Sequence, residues 1–289
     1  MLEPRTLLRQ LADAAIQAAE ARIRVPAVLP EAPARAIVVG AGKASAAMAK
    51  ALEDAWPNTE LSGIVVTRYG YEVACERIEI IGAAHPVPDA KGREAAARIL
   101  QLAESAGKDD LVVALMSGGG SALLTAPAEG ITFEEKQEVN RLLLRSGADI
   151  GEMNTLRKHI SAIKGGRLAA AAYPARVFSI LISDVPGDDP AVIGSGPTVP
   201  DPTTFADARA VVRKYNLDIP ESVRRHLEAA ADETPKPGSK IFAGSDLVFA
   251  AKPDKSIAAA AEVARMAGIS VIDLGDRVEG EARDVGAAH

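Results

Sequence analysis

The glycine triplet near the middle of the chain limits most strongly what the surrounding sequence can fold into. An apolar run rich in branched residues, Leu111–Met116, precedes it, and an apolar segment with helical character follows it. Such a run is typical of a buried parallel strand. Because three successive glycines cost backbone entropy, we expect a strand-to-helix turn that needs them. The turn comprises Ser117, Gly118, Gly119, Gly120 and Ser121.

Two interpretations of this turn are open. Glycines allow several backbone N–H groups to point at one anion, and a helix N-terminus adds partial positive charge there. The hydroxyl groups of Ser117 and Ser121 would add donors at both rims of such a site. The alternative is a plain connector in which Ser121 caps the following helix.

Predicted strands and helices alternate along the whole chain. This order predicts an α/β fold with a mostly parallel, Rossmann-like sheet and helices on both faces. The predicted strands cover residues 36–39, 63–67, 78–81, 111–116, 176–182, 247–250 and 270–274. The predicted helices cover residues 5–22, 46–56, 91–105, 133–148, 154–163 and 256–267, with one more inside 215–227. Ligands of open α/β sheets bind outside the carboxyl ends of the strands, so a site is expected after Val39, Met116 and Ile182.

A stretch rich in proline, residues 233–238, indicates a linker between two domains. We therefore expect a Rossmann-like domain over residues 1–238 and the start of a second α/β domain over residues 239–289. So short a second segment is close to the size below which isolated domains seldom fold. It is expected to be incomplete or to pack on the first domain.

The charge and cysteine content narrow the classes of partner. The formal net charge is −6, so neither nucleic acid nor an anionic membrane is an expected partner. The single cysteine, Cys75, allows no intrachain disulfide, and no apolar run is as long as a membrane span. The N-terminal residues also lack the pattern of a signal peptide. We expect a cytoplasmic protein.

A second glycine-containing turn, Gly40–Ser45, follows the first predicted strand. It departs from the dinucleotide fingerprint, because Ser45 replaces the third glycine and no acidic residue follows about 20 residues later. It also departs from the P-loop, because Ile37 stands at the position of the first glycine. What remains is Lys43, next to Gly42, at the mouth of a βα turn where an anion would bind.

Cationic residues concentrate between residues 153 and 167. Arg157 and Lys164 share one helical face through Ser161 at three- and four-residue steps, and Lys158 adjoins them. The group is either a solvated basic face with a glycine cap or a clamp for carboxylate or phosphate.

Aspartates follow the predicted strand 176–182. Asp184 stands at its carboxyl end and is the best candidate in the chain for a general base or a metal ligand. Asp188 and Asp189 could hold Mg²⁺, or they could cap a turn beside Pro190. Glycine turns, a lysine, a cationic helix and an aspartate together suggest phosphoryl transfer, where catalysis is mostly positioning and charge neutralisation.

These stretches together resemble the type-II glycerate kinases, also called glycerate 2-kinases or the MOFRL family, some of which carry older hydroxypyruvate reductase labels. The most specific matches are IKGGRLA and SDVPGDDP, and the motifs occur in family order over most of residues 5–205. The matching segments are VVGAGKAS (38–45), HPVPD (85–89), SGGGSAL (117–123), KQEVNRLLLRSGADIGEMN (136–154), RKHISAIKGGRLA (157–169), LISDVPGDDP (181–190) and SGPTVPDPTTF (195–205).

The resemblance implies transfer of the γ-phosphoryl group of ATP to the 2-hydroxyl of D-glycerate, with Mg²⁺. By position, Lys43 is similar to the family's active-site lysine and Asp184 to its active-site aspartate. Phosphate would then be bound by the turn of residues 117–121 together with Gly42 and Ser45. The glycerate carboxylate would be bound by the cationic residues Arg157, Lys158 and Lys164, and the metal by Asp188 and Asp189.

Two other readings of the function stay open. One is an NAD(P)H-dependent hydroxypyruvate reductase, in which Arg68 would accept a 2′-phosphate. The other follows from the family's greater length: a remnant without a complete second domain that binds ligand or pairs with another chain, a homodimer included.

Overall fold

Six strands form one sheet, and each runs parallel to its neighbours. The structure is a computed structural model that describes residues 3–278 and 280–288. The strands are β1 (Arg35–Ala41), β2 (Glu60–Arg68), β3 (Ile78–Ala83), β4 (Leu111–Ser117), β5 (Arg176–Ile182) and β6 (Asp246–Ala251). The helices are α1 (Pro4–Gln17), α2 (Ala21–Arg24), α3 (Ser45–Ala55), α4 (Ala90–Glu104), α5 (Gly120–Leu123), α6 (Phe133–Ser146), α7 (Ile150–His159), α8 (Arg167–Ala172), α9 (Phe205–Lys214), α10 (Glu221–Ala229), α11 (Pro253–Met266) and α12 (Ala282–Ala288). None of these helices is long and apolar enough to span a bilayer.

The sheet carries an apolar core on each face. Ile37 and Val39 of β1 belong to one buried cluster, and Ala36 and Val38 belong to the other. Successive side chains of a strand point to opposite faces, so β1 contributes to both cores at once. Strands buried in this way need the near-continuous apolar sequence that predicted them, and the predicted α/β class with helices on both faces is confirmed.

The strand order brings the turn after β1 next to the turn after β4. The order is β3-β2-β1-β4-β5-β6, so the direction of winding reverses between β1 and β4. In the register of this pair, Ala41 lies opposite Met116. At such a switch point the two following loops separate and leave a crevice, which is where open α/β sheets bind ligands.

A third core lies outside the sheet and is built from helices α6, α7, α9 and α10, here called the helical cap. Its buried side chains include Leu143 of α6, Leu156 of α7, Phe205 of α9 and Leu227 of α10. Thr132 and Asp149 start α6 and α7 with reciprocal capping boxes, which satisfy the first free N–H groups of each helix. The cap holds α6 and α7, which carry Lys136 and Arg157, beside the glycine turn.

The structure differs from the predicted elements in several places. Helix α7 begins earlier than the predicted 154–163 because Asp149 caps it, and it ends at His159. Helix α9 was not predicted, although Thr204 and Asp207 form its capping box. The predicted strand at 270–274 is absent: these residues are not extended against any strand, and Ile272 is 87% exposed. An apolar run forms a strand only where a partner strand satisfies its backbone.

The sheet continues past the predicted linker. β6 pairs in parallel with β5, and α11 packs against α1. Residues 246–251 therefore extend the N-terminal sheet. The domain boundary at residue 238 stays a prediction.

Candidate active site

The turns that follow β1, β4 and β5 meet at the switch point. Lys43 Nζ lies 3.3 Å from Asp184 Oδ2, although the two residues are far apart in sequence. Both side chains are half exposed, with 40% and 50% of their surface accessible. The structure thus brings together the lysine and the aspartate that the sequence singled out.

Glycines are required here because the turns touch each other. A methyl group on Gly118 would overlap the carboxylate of Asp184, and one on Gly42 would overlap Ser117. Gly119 has a φ of +84°, which glycine adopts without the steric cost that other residues meet. The close approach of three loops, rather than the turn type alone, accounts for the glycine triplet.

Two predicted phosphate ligands lie beneath the site instead of lining it. Ser45 and Ser117 are buried, with 0% and 1% exposure. The Ser45 hydroxyl donates to the Leu115 carbonyl, the Ala44 N–H donates to Ser117 Oγ, and the two hydroxyl oxygens lie 3.1 Å apart. These hydroxyl groups join the β1 and β4 turns. The prediction that Ser117 offers a donor at the rim is wrong because its hydrogen-bonding capacity is used internally.

The backbone of the glycine turn remains available. Within residues 3–278 and 280–288, the N–H groups of Gly119 and Gly120 have no hydrogen-bond acceptor in the protein. The helix that follows, α5, is a single turn. Two free N–H groups beside the Lys43 ammonium form a small concave surface suited to an oxyanion.

A cavity of about 260 Å³ adjoins this surface and is here called the basic pocket. It lies between the helical cap, the glycine turn and the loop after β3. The pocket is lined by the cations Lys136, Arg141, Arg157 and Lys164, the polar residues Ser121, Thr125, Gln137 and Asn140, and His85, Pro86, Val87, Pro88, Gly119, Ala122 and Leu144.

Lys136 is the most unusual cation of the pocket. It is buried, and its ammonium donates to the Ile160 carbonyl at 2.7 Å. Burial, and secondarily the charge of Arg157, lower the pKa of Lys136 from 10.5 to about 7. An ammonium taken out of water without a counter-ion favours its neutral form.

Lys164 and Arg157 complete the cluster. Lys164 donates to the carbonyl and hydroxyl oxygens of Ser121 at 2.6 and 3.1 Å. Burial, and then the charges of Lys136 and Arg157, lower the pKa of Lys164 well below its usual value. Arg157 Nε donates to Asn140 Oδ1 at 3.2 Å. In the described part of the chain, no carboxylate forms an ion pair with any of these three cations.

Burying these three cations close together without an anion destabilises the folded chain. Buried charges in native proteins are normally paired, and three neighbouring cations raise the cost further through mutual repulsion. A ligand carboxylate or phosphate in the pocket would offset both costs. The prediction for Arg157 and Lys164 thus agrees with their placement, while Lys136 was missed by the sequence analysis.

Lys158 does not reach the pocket. Its ammonium pairs with Asp201 Oδ1 at 3.3 Å, and both side chains are buried. The Asp201 carboxylate also accepts from the hydroxyl groups of Thr203 and Thr234. The structure therefore places Lys158 away from the other predicted ligands, with its charge neutralised inside the fold.

The acidic loop after β5 is occupied by internal contacts. Asp188 pairs with Lys252 at 3.0 Å, and Asp189 accepts from the Ala191 N–H at 2.8 Å. Within the described residues, no group of three or more His, Cys, Asp or Glu side chains could hold a metal ion. The turn-capping interpretation fits Asp189. Asp188 Oδ1 is buried without a hydrogen-bond partner among the described residues, and Mg²⁺ binding by Asp188 and Asp189 stays a prediction.

His85 also lies at the site and had no predicted role. A methyl group placed on Gly119 would lie 2.9 Å from His85 Nε2 and 3.1 Å from Lys43 Cε. Burial first, and then the charges of Lys43 and Arg68, lower the pKa of His85 below 6.5. The signal in the sequence that could have identified His85 is its position just after the carboxyl end of β3, in the proline-rich loop.

The site can be compared with known proteins. A family model described as "Domain of unknown function (DUF4147)" matches residues 7–228. An Agrobacterium vitis protein with the provisional name hydroxypyruvate reductase is 53% identical over 283 residues, or 98% of this chain and 64% of that protein. The D-glycerate 2-kinase of Thermotoga maritima is 44% identical over 208 residues, or 72% of this chain and 49% of that enzyme.

A solved structure agrees in fold. The crystal structure of a glycerate kinase from Thermotoga maritima matches with a TM-score of 0.83 and 36% identity, over 91% of this chain and 63% of that one. The chain spans less than two thirds of the length of each of these three proteins.

Proposed function

Because the chain belongs to the glycerate kinase family that carries the DUF4147 domain, we propose that it provides the substrate site of an ATP-dependent D-glycerate 2-kinase. The observation that carries this proposal is the juxtaposition of two anion sites across one glycine. Lys43 and the free N–H groups of Gly119 and Gly120 lie at the glycine turn, and the basic pocket adjoins that turn through Gly119, Ser121 and His85. D-glycerate phosphorylated at its 2-hydroxyl carries a carboxylate and a phosphate on the same carbon atom.

The basic pocket suits the carboxylate. Arg157 and Lys136 offer charge-assisted hydrogen bonds, which are stronger than neutral ones and favour a carboxylate over a neutral group. Lys164 adds positive charge and also fixes Ser121 at the edge of the glycine turn. Binding would restore the charge of Lys136, because an anion nearby favours the protonated form.

The glycine turn suits the γ-phosphoryl group of ATP while this group is being transferred. The N–H groups of Gly119 and Gly120 and the Lys43 ammonium would stabilise charge on its oxygens, since catalysis of phosphoryl transfer is mostly electrostatic positioning. Asp184, at 3.3 Å from Lys43, orients that ammonium toward the turn. Gly118 leaves room for the Asp184 carboxylate.

Mg²⁺ enters this proposal as part of the MgATP substrate. The described residues form no metal cluster, and Mg²⁺ commonly binds through one or two carboxylates together with substrate phosphates. When bound, the ion would neutralise charge on the phosphates of ATP. A cytoplasmic location and a homodimeric assembly remain predictions from the sequence.

A coupled assay tests the proposal. The chain is incubated with MgATP and D-glycerate, while enolase, pyruvate kinase and lactate dehydrogenase report 2-phosphoglycerate. We expect turnover that Lys43→Ala abolishes and that the surface variant Lys108→Ala leaves unchanged. Absence of 2-phosphoglycerate in all three samples would refute the proposed activity for this chain.

A hydroxypyruvate reductase is the second candidate, favoured by the provisional name of the Agrobacterium vitis relative and by the strand order, which is that of dinucleotide-binding folds. The contact around Gly42 opposes it. In a dinucleotide fold the second glycine lets the backbone approach the cofactor pyrophosphate, whereas here the space over Gly42 is filled by Ser117. Oxidation of NADPH or NADH on addition of hydroxypyruvate, without kinase turnover, would select the reductase.

A further inference from the structure

The two anion sites fix where the reacting hydroxyl must lie. In D-glycerate the carboxylate carbon is bonded directly to the carbon that carries the 2-hydroxyl. If the carboxylate occupies the basic pocket and the phosphoryl group occupies the glycine turn, this hydroxyl lies between them, over Gly119. The side chain that receives its proton must border both regions.

His85 meets this condition. Its imidazole lines the basic pocket, and its Nε2 is the nearest atom to a methyl position on Gly119, at 2.9 Å. Lys43 lies on the same side of Gly119, at 3.1 Å from that position. His85 therefore stands where the pocket and the glycine turn meet.

The other polar groups at this border are already engaged. Lys43 and Asp184 form an ion pair with each other. The Ser121 hydroxyl lies 2.8 Å from the Ser195 hydroxyl and 3.1 Å from the Lys164 ammonium. Among the described residues, no hydrogen bond occupies the His85 ring nitrogens. An unengaged imidazole can accept a proton.

The surroundings of His85 favour its neutral form. Burial contributes most to the lowered pKa of His85. Lys43 from the β1 turn and Arg68 at the end of β2 also repel a proton on the ring, and Asp184 after β5 attracts one more weakly. The cations of the basic pocket, Lys136 and Lys164, stand across the cavity. A neutral imidazole is a competent proton acceptor near pH 7.

From this placement we infer that His85 is the general base of the phosphoryl transfer, an inference that rests on the kinase function proposed above. The 2-hydroxyl oxygen forms a bond to the γ-phosphorus of ATP while the bond from that phosphorus to the bridging oxygen of ADP breaks. The hydroxyl proton passes to His85 Nε2, giving an imidazolium that later releases the proton to water. ADP leaves with the electron pair of the broken bond.

Replacement of His85 tests this role in turnover. General-base catalysis contributes about 10²- to 10⁴-fold, so we expect His85→Gln to lower kcat by about 10²-fold with little change in the KM for D-glycerate. The acid limb of the wild-type pH profile should disappear. Added imidazole should restore activity to His85→Ala in a concentration-dependent manner and should not restore Lys43→Ala. Unchanged kcat in His85→Gln, or failure of imidazole rescue, would overturn the inference.

A binding measurement separates this inference from the kinase proposal. The proton NMR titration of His85, assigned by its loss in His85→Gln, should shift when D-glycerate is added, whereas His226 on α10 should not shift. If wild type turns over and His85→Gln does so equally well, only the inference fails. If wild type shows no turnover, the kinase proposal fails for this chain. In that case a glycerate-dependent shift confined to His85 supports the contact, and no shift overturns it.

Discussion

At the scale of single residues, Lys136 combines an inward-facing position on its helix with a charged side chain. It shares a face of α6 with the buried residues Val139 and Leu143 at three- and four-residue spacing, so its sequence position already placed it inward. A lysine on an inward face is buried only at a cost. An anion bound in the pocket would offset this cost, and α7 and the loop after β3 are needed to form the pocket.

Lys136→Met should weaken binding of D-glycerate without disrupting the fold. A hydrogen bond to a charged group contributes about 1.5 to 3 kcal/mol, so the dissociation constant should rise by about 10- to 100-fold. Calorimetry measures it, with the surface variant Lys108→Met as the matched control. Equal affinity of wild type and Lys136→Met for D-glycerate would show that Lys136 does not belong to the substrate site.

Gly118→Ala should impair catalysis more than stability. The added methyl would overlap the Asp184 carboxylate, and because Asp184 is half exposed it can swing outward. Lys43 then loses its partner, and a small misplacement of a catalytic group costs about 10²-fold in rate. Steady-state kinetics and thermal melting measure the two effects. Gly107→Ala is the control, since its methyl would meet only Asp110 Oδ2, at 3.6 Å. A rate close to wild type would show that the Lys43–Asp184 contact is dispensable.

At the scale of elements, the helical cap explains which sequence predictions succeeded. The parallel strands and the turns of the candidate site were predictable because their patterns are local: apolar runs followed by glycines at the carboxyl ends. The internal contacts of Ser117 and Lys158 could not be predicted, because their partners, Ser45 and Asp201, lie far away in sequence. Helix α9 was not predicted, although it forms part of the third core. Local patterns thus located the site, while long-range packing decided which polar groups remain free for a ligand.

The Lys158–Asp201 pair should act on stability alone. Removing one partner of a buried ion pair destabilises a protein by about 3 to 5 kcal/mol, so Asp201→Asn should lower the free energy of unfolding by about 3 kcal/mol and leave the KM for D-glycerate unchanged. The control is Asp246→Asn, because Asp246 pairs with Arg176 at the surface and such pairs contribute about 0 to 1 kcal/mol. Urea denaturation of Asp201→Asn and Asp246→Asn measures the two changes in the free energy of unfolding. A raised KM with normal stability in Asp201→Asn would show that Lys158 contributes to binding D-glycerate.

At the scale of the whole molecule, the buried cations link stability to pH. Lys136 and Lys164 have lowered pKa values when folded, so between about pH 7 and pH 10 the unfolded chain binds more protons than the folded one. The free energy of unfolding should therefore rise with pH over this window, by at most about 1.4 kcal/mol per pH unit for each lysine. Urea denaturation from pH 7 to pH 9.5 checks the sign, and Lys136→Met should show a shallower rise. A slope unaffected by Lys136→Met would contradict the burial of an unpaired cation.

Under the proposed function, one carboxylate site and one phosphoryl site meet at Gly119, at the switch point of the sheet, and this arrangement defines the substrate site. A crystal structure of the chain with 2-phosphoglycerate tests it most directly, because this ligand carries both anions on adjacent positions. We predict its carboxylate within hydrogen-bond distance of Arg157 and Lys136, and its phosphate at Lys43 and the backbone of residues 119–120. A ligand bound with the two groups exchanged, or bound away from Gly119, would contradict the account.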